Sequence, residues 1–352
     1  MNDLRIKRIP VVIITGFLGS GKTTVLNHVV KHPSMKSTAV IINEFGEIGI
    51  DHLLVETSEE QMVELNNGCI CCTIRGDLAD KLGSLAMWLD IGKIPPVERV
   101  IVETTGLADP APILHTLMTD ETLLARYCLG GVVTVIDAIV GSSSLDRFPE
   151  ACKQVAIADH LIFSKRDLVN TLSNPADYSD LRNRIREINP RATIHESDRG
   201  AIDIGLFMGS VEEDAEAAFR DFSEWLRAAA ESTGNEGCHD PDHSHEFRHG
   251  HGNGRIKSFT IEMEKPLGCD AFSGFLQELV IEYGDNLLRM KGILHVDGET
   301  SRPAVIQGVQ HVFFPVSWLD RWPDGERTTR LVFITQDIDP QLIKDRFGEY
   351  CS

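Results

Sequence analysis

The chain has 352 residues, and its 53 Asp and Glu side chains outnumber 34 Lys and Arg to give a net charge of −19. This length suits about two domains, and a hydrophobic content of 42% excludes wholesale disorder. The acidic excess argues against nucleic acid as the main partner, and no apolar run reaches the roughly 20 residues of a membrane helix. The eight cysteines do not form the pattern of a secreted disulfide framework. We therefore expect a soluble cytoplasmic protein that binds neither nucleic acid nor membrane.

The first part of the chain, residues 1–210, alternates β-branched runs with amphipathic stretches. This is the pattern of an α/β domain with a mostly parallel sheet flanked by helices. The predicted strands are 11–15, 38–43, 61–65, 99–103, 132–137 and 160–164. The predicted helices are 22–31, 77–89, 110–118 and 177–187.

The composition changes at residue 211. Residues 211–250 hold 11 acidic and 3 basic side chains. They are predicted to open with a helix and to continue, up to residue 254, as an exposed His-rich linker. Residues 255–352 are predicted to form a smaller α+β domain. Its expected strands are 256–264, 290–296, 304–314 and 329–335, and its expected helices are 272–283 and 340–347.

Residues 16–23 read GFLGSGKT and match the pattern of a phosphate-binding loop between a strand and a helix. The glycines let backbone N–H groups surround phosphate oxygens, and the following helix N-terminus favours negative charge. We expect Lys22 to reach the β- and γ-phosphates of a nucleotide and Thr23 to ligate Mg²⁺. A glycine-rich turn without a ligand is the competing interpretation, which the flanking strand and helix disfavour.

A carboxylate ends the next central strand, in the run VIVETTG of residues 100–106. Glu103 can hold Mg²⁺ or its water, and Gly106 can approach a γ-phosphate. A solvated acidic strand end is the alternative, and it is less favoured after a phosphate-binding loop.

A later strand ends in Ser164-Lys165-Arg166-Asp167. One carboxylate can accept hydrogen bonds from both N1–H and the N2 amine of guanine, which adenine does not offer, so Asp167 would select the base. The stem of Lys165 would lie along that base. Ser164 departs from the Asn of the common GTPase pattern, and a charged turn without a ligand is the alternative.

Three thiols crowd the segment GCICC, which is expected to be a loop. Cys69, Cys71 and Cys72 can form a soft site for Zn²⁺, Co²⁺ or Cu⁺ with a fourth position left open. An open position suits a metal that is handed over, whereas a buried thiol cluster is the alternative.

Residues 43–51, NEFGEIGID, follow the second strand, where P-loop GTPases carry a switch segment. Glu44 and Asp51 are candidates to meet Mg²⁺ or the attacking water, although loops are commonly acidic.

In the linker, dense imidazoles predict weak metal binding without fixed geometry, with a solvated loop as the alternative. The histidines assigned to this weak binding are His239, His243, His245, His249 and His251.

Together these motifs resemble the CobW-type (cobalamin synthesis protein) family of metallochaperone GTPases, relatives of the urease- and hydrogenase-maturation GTPases. The resemblance covers nearly the whole chain, from ITGFLGSGKTT, INEFGEIGID, NNGCICC, VIVETTGLADP and SKRD to LLRMKGILHVDG and IQGVQHVFF. Some members carry Glu immediately before the Asn of the NEFG segment, where this chain has Ile42. That additional metal ligand is therefore absent.

The resemblance implies a GTPase that binds GTP or GDP with Mg²⁺ and delivers Zn²⁺ or Co²⁺ from the CxCC thiols to a client metalloprotein or metal-insertion enzyme. The C-terminal domain would face a partner, and a homodimer stays open. The implied nucleotide-binding residues are Gly19, Ser20, Gly21, Lys22, Thr23, Thr24, Gly106, Ser164, Lys165 and Asp167. The residues assigned to hydrolysis are Lys22, Glu44, Asp51 and Glu103.

Two other functions remain open from the sequence. The chain could be a metal buffer with little nucleotide turnover, or it could be a P-loop ATPase or small-molecule kinase. Ser164-Lys165-Arg166-Asp167 disfavours the ATPase, and measurable multiple-turnover GTP hydrolysis would exclude the buffer.

Overall fold

A computed structural model describes most of the chain. The described residues are 8–43, 61–64, 70–73, 77–171, 176–209, 256–323 and 325–351. They divide into two compact units. Within these residues, no helix has both the length and the apolar character needed to cross a bilayer.

The larger sheet has eight strands in the order β3-β4-β2-β5-β1-β6-β7-β8. Its strands are β1 Ile9–Thr15, β2 Thr38–Asn43, β3 Gln61–Glu64, β4 Ile70–Thr73, β5 Arg99–Thr104, β6 Tyr127–Asp137, β7 His160–Ser164 and β8 Thr193–Glu196. In this spatial order the six neighbouring strands β4, β2, β5, β1, β6 and β7 are parallel, and β3 pairs antiparallel with β4. Every residue of β1 and β5 is buried, as expected for parallel strands that helices cover on both faces.

The helices up to residue 188 alternate with these strands along the chain. They are α1 Lys22–Val30, α2 Leu78–Asp90, α3 Ala111–Thr119, α4 Glu121–Arg126, α5 Gly141–Arg147, α6 Pro149–Ile157 and α7 Ala176–Ile188. Val25 and Val29 of α1 pack on Val12 and Ile14 of β1 in one buried cluster. This apolar contact fixes α1 against the strand that leads into residues 16–23, and so fixes the start of the helix.

The C-terminal part has a six-stranded antiparallel sheet with the order β12-β11-β10-β14-β9, and β13 pairs with β11. The elements are β9 Ile256–Met263, α8 Cys269–Tyr283, β10 Leu287–Val296, β11 Glu299–Val309, β12 Val312–Phe313, β13 Ser317–Trp318, β14 Thr329–Gln336 and α9 Pro340–Cys351. Both helices pack on one face of the sheet. Phe275 of α8 meets Phe347 of α9 edge-on, with 5.3 Å between ring centroids.

The second compact unit joins this C-terminal part to residues 142–156 and 180–193. Arg191, in the second of these segments, donates to the Thr260 hydroxyl of β9 at 2.8 Å. Burial lowers the pKa of Arg191 to about 10, while Glu262 on the same strand raises it in part. The proposed division at 1–210, 211–254 and 255–352 stays a prediction.

The predicted fold class is confirmed, with an α/β domain followed by a smaller α+β domain. The loop predicted for the cysteine segment is wrong for its second half, because Ile70–Thr73 is strand β4, paired on both sides by β2 and β3. The run predicted at 304–314 is two strands, because Gln310 adopts a left-handed φ of 53° and turns the chain between β11 and β12. The helix predicted after residue 210 lies outside the described residues.

Candidate functional site

Residues 16–23 form a tight loop between β1 and α1. A Cβ on Gly16 would lie 2.2 Å from the backbone oxygen of Val135, and Gly21, the residue before α1, has a φ of 92°. Both positions therefore require glycine. Lys22 is 7% exposed, and its Nζ donates to the carbonyl oxygens of Gly16 (2.9 Å) and Phe17 (3.3 Å). The lysine thus folds back along the loop that precedes it.

The Thr23 side chain meets the end of strand β5. Its hydroxyl donates to Glu103 Oε1 at 2.8 Å, although the two residues are 80 positions apart, and Glu103 is 1% exposed. A hydroxyl beside a carboxylate gives two hard oxygen donors, the ligand type that Mg²⁺ prefers. These two residues therefore fit the predicted magnesium site.

A buried hydroxyl pair lies beside this site. The Thr104 hydroxyl donates to the Thr15 hydroxyl at 2.8 Å, and neither residue is exposed. The pair links the last residues of β5 and β1. Nothing in the sequence pattern had singled out these two threonines, because their contact joins strands that are distant along the chain.

The segment after β5 touches the phosphate-binding loop directly. A Cβ on Gly106 would lie 2.7 Å from Leu18 N and 2.8 Å from Leu18 Cα. Only a residue without a side chain allows this approach.

In the phosphate-binding loop, the Ser20 hydroxyl is buried, and it finds no hydrogen-bond partner within the described part of the chain. An unsatisfied hydroxyl in such a loop is compatible with a polar ligand.

The segment after β7 also reaches the loop. The Ser164 hydroxyl lies 2.5 Å from the carbonyl oxygen of Ser20 and 3.3 Å from that of Ile136. Lys165 has a left-handed φ of 55°, and its Nζ lies 2.5 Å from Asp137 Oδ2 at the end of β6. The serine that departs from the common pattern therefore still ties this segment to the phosphate-binding loop.

The loop after β8 was missed by sequence reasoning. Arg199 Nε lies 3.8 Å from Asp167 Oδ2, and a Cβ on Gly200 would lie 2.8 Å from the carbonyl oxygen of Thr24. This loop therefore lies against both the segment Ser164–Asp167 and the start of α1. Asp137 was also missed, although an acidic residue at the end of a buried strand was the signal that identified Glu103.

Of the three predicted thiol ligands, the structure describes the backbone of Cys71 and Cys72. Cys71 and Cys72 lie on β4, where Cys72 pairs with Ile41 of β2. The same level of the sheet continues through Val102 of β5 to Ile13 of β1. Three strand spacings of about 4.8 Å place β4 about 14 Å from β1.

The other predicted metal and switch residues lie outside the described residues. They are Glu44, Asp51, Cys69, His239, His243, His245, His249 and His251. Within the described part, no three His, Cys, Asp or Glu side chains are grouped to hold a metal ion. Ile42 packs half-buried against the core of the larger sheet.

Comparison with protein families gives the relationship of the chain. Residues 10–196 match the model of the CobW/HypB/UreG nucleotide-binding domain, which spans more than half of the chain. The chain belongs to the CobW/HypB/UreG family. Residues 256–351 match the cobalamin synthesis protein cobW C-terminal domain, which coincides with β9 to α9.

Three curated relatives align over nearly the whole chain. The zinc chaperone YjiA of Escherichia coli is 33% identical, with 97% of this chain and 98% of YjiA covered. The zinc chaperone CobW of Pseudomonas aeruginosa is 29% identical, with 96% and 90% covered. The zinc-regulated GTPase metalloprotein activator 1 of Schizosaccharomyces pombe is 29% identical, with 97% and 83% covered.

A solved structure supports the same relationship. The crystal structure of Zn(II)-bound YjiA GTPase from E. coli superposes with a TM-score of 0.70 at 30% identity, covering 98% of this chain and 99% of YjiA. The similarity to YjiA therefore holds for the backbone fold as well as for the sequence.

Proposed function

We propose that this chain is a GTP-hydrolysing metallochaperone that binds Zn²⁺, or Co²⁺, at Cys69, Cys71 and Cys72 and delivers it to a client metalloprotein. One observation carries the nucleotide half of the proposal. The Thr23–Glu103 hydrogen bond of 2.8 Å and the Ser164–Ser20 contact of 2.5 Å tie two later strand ends to one phosphate-binding loop. The names of the curated relatives support the metal half.

Each residue of the nucleotide site has a distinct role in this proposal. The Lys22 ammonium binds the β- and γ-phosphates, and Thr23 and Glu103 hold Mg²⁺, which when bound neutralises charge that develops on the phosphates. Asp167 accepts from guanine N1–H and the N2 amine. Glu44 and Asp51 position the attacking water or the metal. The base contacts set selectivity, whereas the phosphate contacts supply most of the affinity.

The proposed base reader has a direct test. Asp167→Asn exchanges one accepting oxygen for a donor that faces the guanine amine, and it should shift the preference from GTP toward xanthosine triphosphate. Multiple-turnover phosphate release measured with GTP and ATP in parallel tests the reaction itself. An equal rate with ATP would indicate the P-loop ATPase, and no turnover with either nucleotide would indicate the metal buffer.

We further propose that metal binding and nucleotide binding are coupled. The cysteine strand β4 lies on the same sheet as the phosphate-binding loop, about 14 Å across from β1. The segment between β2 and β3 carries Glu44 and Asp51, so a γ-phosphate that orders it would also change the thiol geometry. Because coupling is reciprocal, the factor that GTP adds to metal affinity equals the factor that metal adds to GTP affinity.

A competition titration against a chelator tests this coupling. Zn²⁺ and Co²⁺ are titrated with GDP·Mg²⁺ and then with a non-hydrolysable GTP analogue·Mg²⁺, and affinities should differ by about 5- to 150-fold. Cys71→Ser should abolish the tight site, whereas Cys269→Ser, at an exposed free thiol of α8, is the matched control. Equal affinities in both nucleotide states would contradict the chaperone mechanism.

The linker and the partner surfaces belong to the same proposal. His239, His243, His245, His249 and His251 would capture metal weakly, so deletion of residues 238–251 should remove weak sites and leave the tight site and GTP turnover unchanged. The C-terminal domain would face the client, and a homodimer would be seen by light scattering of the loaded protein.

A further inference from the structure

Asp137 is a buried carboxylate at the end of β6 that contacts Lys165 of the segment Ser164–Asp167. Its side chain is 7% exposed. Oδ1 accepts from the backbone N–H groups of Ile139 (2.8 Å) and Val140 (3.2 Å), while Oδ2 lies 2.5 Å from Lys165 Nζ. A buried charge is tolerated only when it is compensated, and the Lys165 ammonium supplies the opposite charge. Both oxygens of Asp137 therefore have defined partners.

Two carboxylates could pair with Lys165: Asp137, which precedes it in the sequence, and Asp167, which follows it. The Lys165 ammonium contacts Asp137. The left-handed backbone at Lys165 and the bond from Ala138 N to the Ser164 carbonyl (3.1 Å) bring the end of β7 beside the end of β6. The ammonium pairs with Asp137, whereas Asp167 faces the guanidinium of Arg199, which is 88% exposed. Asp167 is thereby left accessible to a ligand that displaces a solvated arginine.

We propose that Asp137 is a positioning residue for base recognition, and this inference rests on the proposed GTPase function. By holding the Lys165 ammonium, Asp137 directs the aliphatic stem of the lysine along the base and keeps the cation from Asp167. An ammonium released from Asp137 would pair with Asp167, two residues away, and compete with guanine for its oxygens. Asp137 thus sets guanine selectivity without touching the nucleotide.

The test removes the charge of Asp137 while keeping its backbone contacts. In Asp137→Asn, Oδ1 still accepts from Ile139 and Val140, but an amide faces the Lys165 ammonium. We expect GDP to bind about tenfold more weakly, because the released Lys165 ammonium would compete for Asp167 and the hydrogen bonds from guanine to this charged carboxylate would be lost. The ratio of GDP to inosine diphosphate affinity should also fall, since inosine lacks the N2 amine that Asp167 reads. Both affinities are measured by isothermal titration with Mg²⁺ present.

A double variant separates this role from a structural one. Lys165→Met keeps the aliphatic stem and removes the ammonium, so Asp137→Asn combined with Lys165→Met should recover the GDP to inosine diphosphate ratio. Asp90→Asn is the matched control, because Asp90, at the end of α2, is 62% exposed and forms its ion pair with Arg126 at 2.6 Å. It should bind both nucleotides as the unmodified chain does.

Three outcomes with the variants decide the inference, and a fourth with the unmodified chain decides the function on which it rests. A lowered ratio in Asp137→Asn that returns in the double variant supports it. An unchanged ratio in Asp137→Asn, or a ratio that stays low in the double variant, overturns it. An unmodified chain that binds ADP as tightly as GDP would defeat the proposed GTPase function itself, and that result is obtained before any variant is measured.

Discussion

Gly106→Ala is the sharpest perturbation of the proposed nucleotide site. The added Cβ would lie 2.7 Å from Leu18 N and 2.8 Å from Leu18 Cα, so the phosphate-binding loop must retreat by about 0.7 Å to reach ordinary contact. The Leu18 side chain is 57% exposed and can rotate away, but its backbone cannot. Overpacking of this kind costs about 1–3 kcal/mol. If the loop must recover its shape to bind, GDP affinity should fall about 5- to 150-fold.

Gly83→Ala is the matched control for this perturbation. Gly83 lies inside α2, and apart from its own helix no described atom lies within 4 Å of its built Cβ, so alanine should stabilise the protein by about 0.5–1 kcal/mol and leave GDP affinity unchanged. Isothermal titration gives the affinities, and thermal unfolding gives the stabilities. If Gly106→Ala bound GDP and unfolded as the unmodified chain does, the assigned contact between residue 106 and the loop would be wrong.

Three further predictions concern single side chains. Lys22→Ala should abolish GDP binding with an unchanged far-ultraviolet circular dichroism spectrum, and retained affinity would reject the phosphate-binding assignment. Ser164→Ala, which loses the hydroxyl contact with Ser20, should weaken GDP binding about 5- to 10-fold, whereas Ser164→Thr should retain it. The pKa of His195 is lowered from 6.5 to about 4 by burial and then by His160, with a partial increase from Asp203. The unfolded state therefore binds the extra proton, so this contribution to stability is complete above pH 6.5 and is lost as the pH falls to 4, by about 2 kcal/mol after allowance for solvent screening. Denaturant unfolding of His195→Gln across this range should show a flatter pH dependence, and an identical slope would contradict it.

The sequence predicted the central strands well because their burial leaves a direct trace. β2 and β7 begin and end where the apolar runs do, and β1 and β5 differ by one or two residues. A parallel strand that is covered on both faces must be apolar throughout, so its extent is visible without any knowledge of its neighbours. Strand β4 carries no such run, and its pairing with β2 and β3 decided its conformation. The sequence Asn66-Asn67-Gly68 consists of residue types that favour turns and stands between two short runs, so it was the available signal for a hairpin.

The residues of the candidate site fall into two groups, those that a local sequence motif predicts and those that only the strand arrangement brings together. Lys22 and Thr23 were recognised because their chemistry depends on neighbours within one motif. The Asp137–Lys165 pair joins residues 28 positions apart, and the Thr15–Thr104 pair joins residues 89 positions apart. Such pairs depend on strand order and register, which no local pattern contains.

The buried hydroxyl pair of Thr15 and Thr104 joins two neighbouring strand ends. It fastens the ends of β1 and β5 to each other, so the strand end that carries Glu103 cannot move separately from the entrance of the phosphate-binding loop. We therefore expect any rearrangement of the segment that contains Gly106 to begin after Thr104. Native-state hydrogen exchange should divide at this point, with slow exchange of amides up to residue 104 and faster exchange immediately after it.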